Sequence, residues 1–255
     1  MVYIYEEIAK VKAGGEGAAL ATVISSTGST PVGEASKMLV KASGSTVGSL
    51  GGGELEARVC EKAKEVIKKG IPERLHLSLT GGKIDMICGG EIEVFIEPIV
   101  PPPTLYIFGG GHISFSLVEI ARLLDFKITV IDDRPEFANP QRFPAIDNVI
   151  AEDFETVSSR LKVDKSSYLV IATRRPQCDE IVLELALKTP AKYIGMIGSR
   201  TKIETIFSHL LNKGIPRQLL DKVHTPIGLE IQAKTSQEIA VSIMAEIIKV
   251  RHSSL

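Results

Sequence analysis

The hydrophobic pattern changes period repeatedly along the chain, and each change marks an element. Ile4 to Lys12 carries a helical pattern that Gly14-Gly15 closes. Leu20-Ala21-Thr22-Val23-Ile24 reads as a strand running into a loop of hydroxyls and glycine, Ser25 to Pro31. Lys37–Lys41 and Ser45–Leu50, separated by Ala42-Ser43-Gly44, predict a hairpin. After Gly51-Gly52-Gly53, the apolar positions Leu55, Val59, Ala63, Val66 and Ile67 recur at helical spacing, predicting a helix to about Lys69. Arg74–Leu79 and Glu91–Glu97 then alternate as half-buried strands, with Ile92, Val94 and Ile96 on one face of the second.

Pro98-Ile99-Val100-Pro101-Pro102-Pro103 breaks this pattern, because consecutive prolines hold an extended, semi-rigid segment. The predicted organisation is an N-terminal mixed α/β domain over 1–97, a linker over 98–103 and a second domain over 104–255. In the second domain, apolar runs at Leu105–Phe108, Lys127–Asp132, Val149-Ile150, Tyr168–Ala172 and Tyr193–Ile197 are separated by helical segments, of which Asp179–Leu187 is the clearest. That alternation predicts a Rossmann-like, doubly wound parallel sheet. A last helix from Ser236 to about Val250 opens on Thr235-Ser236-Gln237-Glu238, a capping box.

The first turn of the second domain carries the chemistry. Phe108 leads into Gly109-Gly110-Gly111-His112-Ile113-Ser114 and a helix, the Gly-x-Gly-x-x-small order of a dinucleotide-binding turn. Gly109 permits the tight turn, Gly111 leaves the backbone bare for a pyrophosphate, and Ser114 lets helix and strand pack closely. A helix N-terminus there favours an anion. The next strand ends in Asp132, at about the distance where such folds place a carboxylate for a ribose hydroxyl. Asp133 and Arg134 follow it. Binding at the carboxyl ends of the strands brings in Thr173, Arg174, Gly198, Ser199 and Arg200 as rim residues, with the two arginines as phosphate clamps or ordinary surface residues. NAD(H) or another adenine dinucleotide is the ligand this pattern anticipates; a plain glycine-rich turn is the alternative.

Two further glycine-rich stretches lie in the first domain. Gly52 and Gly53 open a helix, either as a second anion site or as a tight turn. Cys88-Gly89-Gly90 sets a thiol beside bare backbone, open to a bulky or soft ligand; a small buried cysteine in a turn is the other reading. Cys60 sits among apolar helix neighbours and reads as core.

Composition narrows the classes. With 30 basic and 31 acidic residues and a net charge of −1, the chain lacks the footprint of a nucleic-acid binder. No apolar run approaches the roughly 20 residues of a membrane span, and no signal-peptide pattern opens the chain, so a cytoplasmic location is expected. The cysteines, Cys60, Cys88 and Cys178, form neither a disulfide framework nor a zinc pattern.

Several segments together resemble the xanthine dehydrogenase accessory protein family of the XdhC/CoxI type. They are Ala21-Thr22-Val23, Gly28-Ser29-Thr30-Pro31, Lys37–Val40, Gly51-Gly52-Gly53 with Glu56, and Cys88-Gly89-Gly90 in the first domain. In the second they are Gly109–His112, Asp132–Asn139, Ala172-Thr173-Arg174, Tyr193–Arg200 and Pro226-Ile227-Gly228-Leu229-Glu230. The chain departs from the family pattern at Val32-Gly33, at Glu54 after the triple glycine, and at Arg175-Pro176. The resemblance implies a factor that binds molybdenum cofactor (molybdopterin), protects it, and works with a cysteine desulfurase or other sulfurtransferase. It further implies delivery to an apo molybdenum hydroxylase of the xanthine dehydrogenase kind, and a homodimer. Under it, Cys88 becomes a metal-contacting thiol, with Gly89, Gly90, Gly52 and Gly53 around the cofactor. An NAD(P)-dependent oxidoreductase and a nucleotide-gated sensor are the competing readings; no Tyr-x-x-x-Lys or His/Asp relay stands out for the former.

Overall fold

A computed structural model describes residues 2–79 and 89–253. The chain divides into two compact units, Met1–Pro102 and Pro103–Leu255.

In the first unit the order is α1 (Val2–Gly14), β1 (Ala18–Thr27), β2 (Lys37–Lys41), β3 (Thr46–Gly48), α2 (Gly53–Lys69), β4 (Glu73–Ser78) and β5 (Glu91–Ile99). The strands form one antiparallel sheet ordered β3-β2-β1-β5-β4. Helix α2 lays Leu55, Val59, Ala63 and Val66 on one face of the sheet, against Val23, Val40, Val94 and Ile96. Helix α1 covers part of the other face, where Ile4 and Val11 meet Leu20, Leu39 and Ile99. Cys60 packs beside the α2 core, and burial pushes its thiol up from the ordinary value.

Two strands run further than their patterns predict. β1 continues through Ser25 and Ser26 to Thr27, because β5 supplies partners for these hydroxyl residues that no local pattern reveals. β5 continues through Pro98 to Ile99, opposite Ala19 and Ala18. Pro98 lies past the end of β4, where β5 has a free side, and a proline is accepted there.

In the second unit the order is β6 (Thr104–Phe108), α3 (His112–Leu123), β7 (Lys127–Asp132), β8 (Asn148–Ala151), α4 (Phe154–Ser158), β9 (Ser167–Ile171), α5 (Pro176–Ala186), β10 (Tyr193–Met196), α6 (Arg200–Asn212), α7 (Arg217–Leu220) and α8 (Ser236–His252). All five strands are parallel, ordered β10-β9-β6-β7-β8, the doubly wound arrangement the pattern predicts. Alternate residues of β6 feed two cores. Leu105 and Ile107 face α3 and α8, while Tyr106 and Phe108 face the side of α4, α5 and α6. Helix α8 begins in the capping box, with the Thr235 hydroxyl accepting from the Glu238 amide at 3.2 Å and the Glu238 carboxylate accepting from the Thr235 amide at 2.9 Å.

The order of the strands reverses at β6 and β9, so a crevice opens at their carboxyl ends. The β6–α3 turn and the segment after β9 bound it. No helix among the described residues is long and apolar enough to cross a membrane.

Candidate functional site

The turn after β6 is built from three glycines with three different jobs. Gly109 has φ +107°, and a Cβ there would lie 2.2 Å from the Ala172 carbonyl oxygen, so only glycine fits between β6 and β9. A Cβ on Gly110 would lie 2.1 Å from the Phe137 carbonyl oxygen. Gly111 has nothing within 4 Å of where its Cβ would be. The close packing is therefore at Gly109 and Gly110, and the open approach is at Gly111. Gly111 is also the N-cap of α3, and no side chain caps that helix start. Beneath it, the Ser114 hydroxyl is buried with no hydrogen-bond partner among the described residues. Uncapped amides, a bare backbone and an unpaired hydroxyl together suit a phosphate-bearing ligand. His112, the first residue of the helix, is exposed.

Asp132 ends β7 where the spacing predicts an acid, and it is employed inside the protein. Its Oδ2 accepts the Gly110 amide at 2.8 Å and an Arg134 guanidinium nitrogen at 3.0 Å. Its Oδ1 accepts the Arg134 amide at 3.1 Å and Nε at 2.8 Å. Burial pushes this carboxyl up, but the bonds from Arg134 and Gly110 outweigh it and hold the carboxyl below its ordinary value. Arg134 in turn lies 3.6 Å above the Phe137 ring, and Arg142 Nε donates to the Gly110 carbonyl at 2.9 Å. Both polar backbone groups of Gly110 are thus fixed, the amide by the last residue of β7 and the carbonyl by the segment after it. The adjacent acid differs: Asp133 Oδ2 accepts from Arg174 at 2.7 Å, and its Oδ1 is buried with no hydrogen-bond partner among the described residues. With all four acceptor positions of Asp132 filled, Asp133 carries the oxygen still lacking a bond.

The structure joins the rim residues through two groups that the sequence pattern does not single out. Asp179, fully buried near the start of α5, accepts the Thr173 hydroxyl at 2.7 Å and amide at 3.1 Å through Oδ1. Its other oxygen pairs with Lys202, whose ammonium also donates to the Ile197 carbonyl at 3.0 Å. Ser199 caps α6, accepting from the Lys202 amide, while Arg200 is exposed. Thr173 after β9 and the Ile197–Ser199 segment after β10 are therefore tied together by an Asp–Lys pair whose members stand 23 residues apart, while Arg174 is held by Asp133. The one local signal for it is an acid in the first turn of a helix beginning Pro176.

In the first unit, the Gly51-Gly52-Gly53 turn is filled from within. Glu56 Oε1 accepts the Ser49 hydroxyl at 2.6 Å, the Leu50 amide at 2.7 Å and the Gly52 amide at 3.1 Å. The chain's own carboxylate occupies the place an external anion would take. Gly90 is packed against the Gly28 turn: a Cβ on it would lie 2.4 Å from the Thr27 carbonyl oxygen and 2.6 Å from that of Ser29. Gly89 is exposed. Cys88 lies outside the described residues, and among those described no group of three or more His, Cys, Asp or Glu residues is placed to hold a metal ion.

A parallel sheet with this strand order, a glycine turn opening onto an uncapped helix and an acid–arginine rim defines a Rossmann-type unit joined to a smaller antiparallel α/β unit. The XdhC Rossmann domain model matches residues 105–247, and the XdhC and CoxI family model matches residues 11–78. The chain belongs to the XdhC family. It is 32% identical over 255 residues to the uncharacterized protein YqeB of Escherichia coli (strain K12), covering 98% of this chain and 47% of that protein. It is also 32% identical over 158 residues to a probable xanthine dehydrogenase subunit from Bacillus subtilis (strain 168), covering 62% of this chain and 46% of that one. The chain thus spans about half the length of the curated relatives it matches. A crystal structure described as a xanthine dehydrogenase from Bacillus halodurans shares the fold, with a TM-score of 0.56, 22% identity, and coverage of 97% of this chain and 95% of that chain.

Proposed function

We propose that this protein is a maturation factor for a molybdenum hydroxylase of the xanthine dehydrogenase kind, carrying molybdenum cofactor as cargo. The observation that carries this reading is the pair of family matches, one on each unit. Its work is then to bind, shield and hand over the cofactor to the apo-hydroxylase, with a sulfurtransferase as a second partner and a homodimer as the working form. Cys88 is the thiol proposed to meet the molybdenum.

The Rossmann unit adds a nucleotide to this scheme. We assign an adenine dinucleotide such as NAD(H) to the crevice at Gly111, with its phosphates on the α3 amides and the Ser114 hydroxyl. The unpaired Ser114 hydroxyl and the open space at Gly111 support this. A bound nucleotide would supply either redox chemistry or an occupancy signal. The chain's own contribution is to hold the phosphates and to keep Arg134 and Arg142 in place around Gly110.

Purification of the protein under anaerobic conditions from cells that make molybdenum cofactor tests the carrier reading. Bound pterin is measured as its fluorescent oxidation product, with metal content alongside. Retention of pterin, reduced in Cys88→Ser, is the expected result. A preparation free of pterin, with nucleotide bound and turned over, overturns the carrier reading in favour of an oxidoreductase.

A further inference from the structure

Among the described residues of the first unit, one face of the antiparallel sheet is left partly open. Helix α2 covers the opposite face, and α1 covers this one only around Leu20, Leu39 and Ile99. Beyond that, the sheet presents two cross-strand rows of polar side chains. Ser25 of β1 stands opposite Glu93 of β5, which stands opposite His76 of β4. Thr27, Glu91 and Ser78 form the next row in the same way. These residues line a cavity of about 370 Å³. Pockets for small molecules begin at roughly this size.

The rows exist because of a register shift. Between Val23 and Ser25 the pairing of β1 with β5 slips by one residue. Without the slip, Ser25 would stand opposite Ile92 and point into the α2 core. With it, Ser25 and Thr27 join the carboxylates on the open face. A bulge that re-aims side chains at a sheet end is a feature of ligand sites as well as of edges.

The two carboxylates differ in their engagement. Glu93 is already engaged, with His76 Nε2 at 3.4 Å and the Arg74 guanidinium at 3.6 Å. Glu91 has neither an ion pair nor a hydrogen bond to its side chain among the described residues. A glutamate with both oxygens open accepts two parallel N–H bonds, and charge-assisted pairs of this kind are the strong ones. Glu91 and Glu93 lie about 7 Å apart along the strand, two residues of strand rise. The hydroxyls of Ser25 and Thr27 flank them as donors or acceptors.

We infer that this cavity binds the flat aminopyrimidinone edge of a pterin, with Glu91 accepting from the ring N–H and the exocyclic amino group side by side. The inference rests on the carrier reading above and gives the pterin part of the cargo a place distinct from the Rossmann crevice. Guanine presents the same edge, so the chemistry has two sources and the test separates them.

The probe is biopterin, titrated by its own fluorescence into the full chain, with guanosine as one comparison. Lumazine, a pteridine with an oxygen in place of the exocyclic amino group, is the other. The expected result is saturable biopterin binding at least tenfold tighter than lumazine, weakened at least tenfold in Glu91→Gln and unchanged in Glu97→Gln, which lies on β5 outside the cavity. Lumazine binding as tightly as biopterin overturns the proposal without recourse to any variant. So does unchanged binding in Glu91→Gln. Guanosine binding more tightly than biopterin assigns the edge to guanine and overturns the pterin. Cell-derived pterin retained equally by wild type and Glu91→Gln overturns this cavity and leaves the carrier reading standing. Biopterin bound through Glu91 by a protein that retains no pterin from cells keeps the cavity and overturns the carrier reading.

Discussion

The Tyr193 hydroxyl donates to Glu246 Oε2 at 2.6 Å, joining the edge strand β10 to the middle of α8. The same carboxylate oxygen accepts the Gly228 amide at 3.0 Å, and its other oxygen lies 3.3 Å from His224 Nδ1. His224 stacks on the Tyr193 ring at 4.6 Å. Burial, reinforced by the bond to Glu246, pushes the tyrosine hydroxyl far above its ordinary value, so it remains a donor throughout the working range. Tyr193→Phe leaves Glu246 short of one donor and is expected to destabilise the protein by about 1–2 kcal/mol. Glu246→Ala removes three partners at once and is expected to lose more. Denaturant unfolding of both variants measures the difference, and equal stability of Glu246→Ala and wild type would contradict a fastening role.

The three turn glycines separate fold from binding. Gly109→Ala and Gly110→Ala drive a methyl into backbone oxygens and are expected to unfold the second unit or leave it insoluble. Gly111→Ala meets no atom and keeps a φ of −73° that alanine adopts freely, so its melting temperature should stay close to that of wild type. Its nucleotide affinity should fall at least tenfold, read by calorimetry with NAD.

Much of the second unit is legible in the sequence. Its strands, their parallel order and the Gly109–Gly111 turn follow from local pattern, because each depends on neighbours a few residues apart. Asp132 is legible as an acid at a strand end, but its four bonds are not, since one of its donors, Gly110, sits 22 residues away. Asp179 and Lys202 carry no periodic signal and meet only once α5 and α6 have docked beside β9 and β10. In the first unit the reach of β1 to Thr27 is hidden for a related reason: Ser25, Ser26 and Thr27 have loop-like composition, and β5 makes them a strand.

Asp132 predicts the acid behaviour of the second unit. Its folded-state value lies below the ordinary 3.8, so its stabilisation is full above about pH 4 and is lost as pH falls through the folded value. Asp132→Asn should be less stable than wild type at pH 7, and the two should converge as pH falls below the lowered folded-state value of Asp132. Thermal melts from neutral to strongly acidic pH, followed by far-ultraviolet dichroism, would show it; a constant gap down to the lowest pH would rule out this account.

Lys202 and Asp179 form a buried pair of which only the lysine reaches solvent. Lys202→Met strands a carboxylate that is fully buried, and a loss of about 3–5 kcal/mol is expected for breaking such a pair from one side. Asp179→Asn in the Lys202→Met background should restore part of it, because the stranded charge is gone. A double-mutant cycle by urea unfolding measures the coupling, and simple additivity would count against a direct pairing.

Glu56 fills its own glycine turn. Glu56→Ala releases the Leu50 and Gly52 amides and is expected to lower the stability of the first unit by about 1–2 kcal/mol, as loss of a helix cap does. Added phosphate or sulfate should recover part of that loss in the variant and have little effect on wild type, because the vacated amides can then take an external anion. Chemical denaturation with and without the salt, at matched ionic strength, reads the difference.

The slip between Val23 and Ser25 leaves Ile24 as a residue of β1 with no partner on β5. It is therefore a length of chain held in reserve. Withdrawing Ile24 would let Ser25 follow Val23 directly into a regular ladder, still opposite Glu93, with Thr27 still opposite Glu91. Replacing Ile24 by another residue changes little either, because its side chain is partly in water. Adding a residue at the same point is another matter. It must either widen the bulge or push Ser25 opposite Ile92, exchanging the side chains of the two faces. The strand end can thus shorten by one residue without loss of its polar rows, but it cannot lengthen without cost.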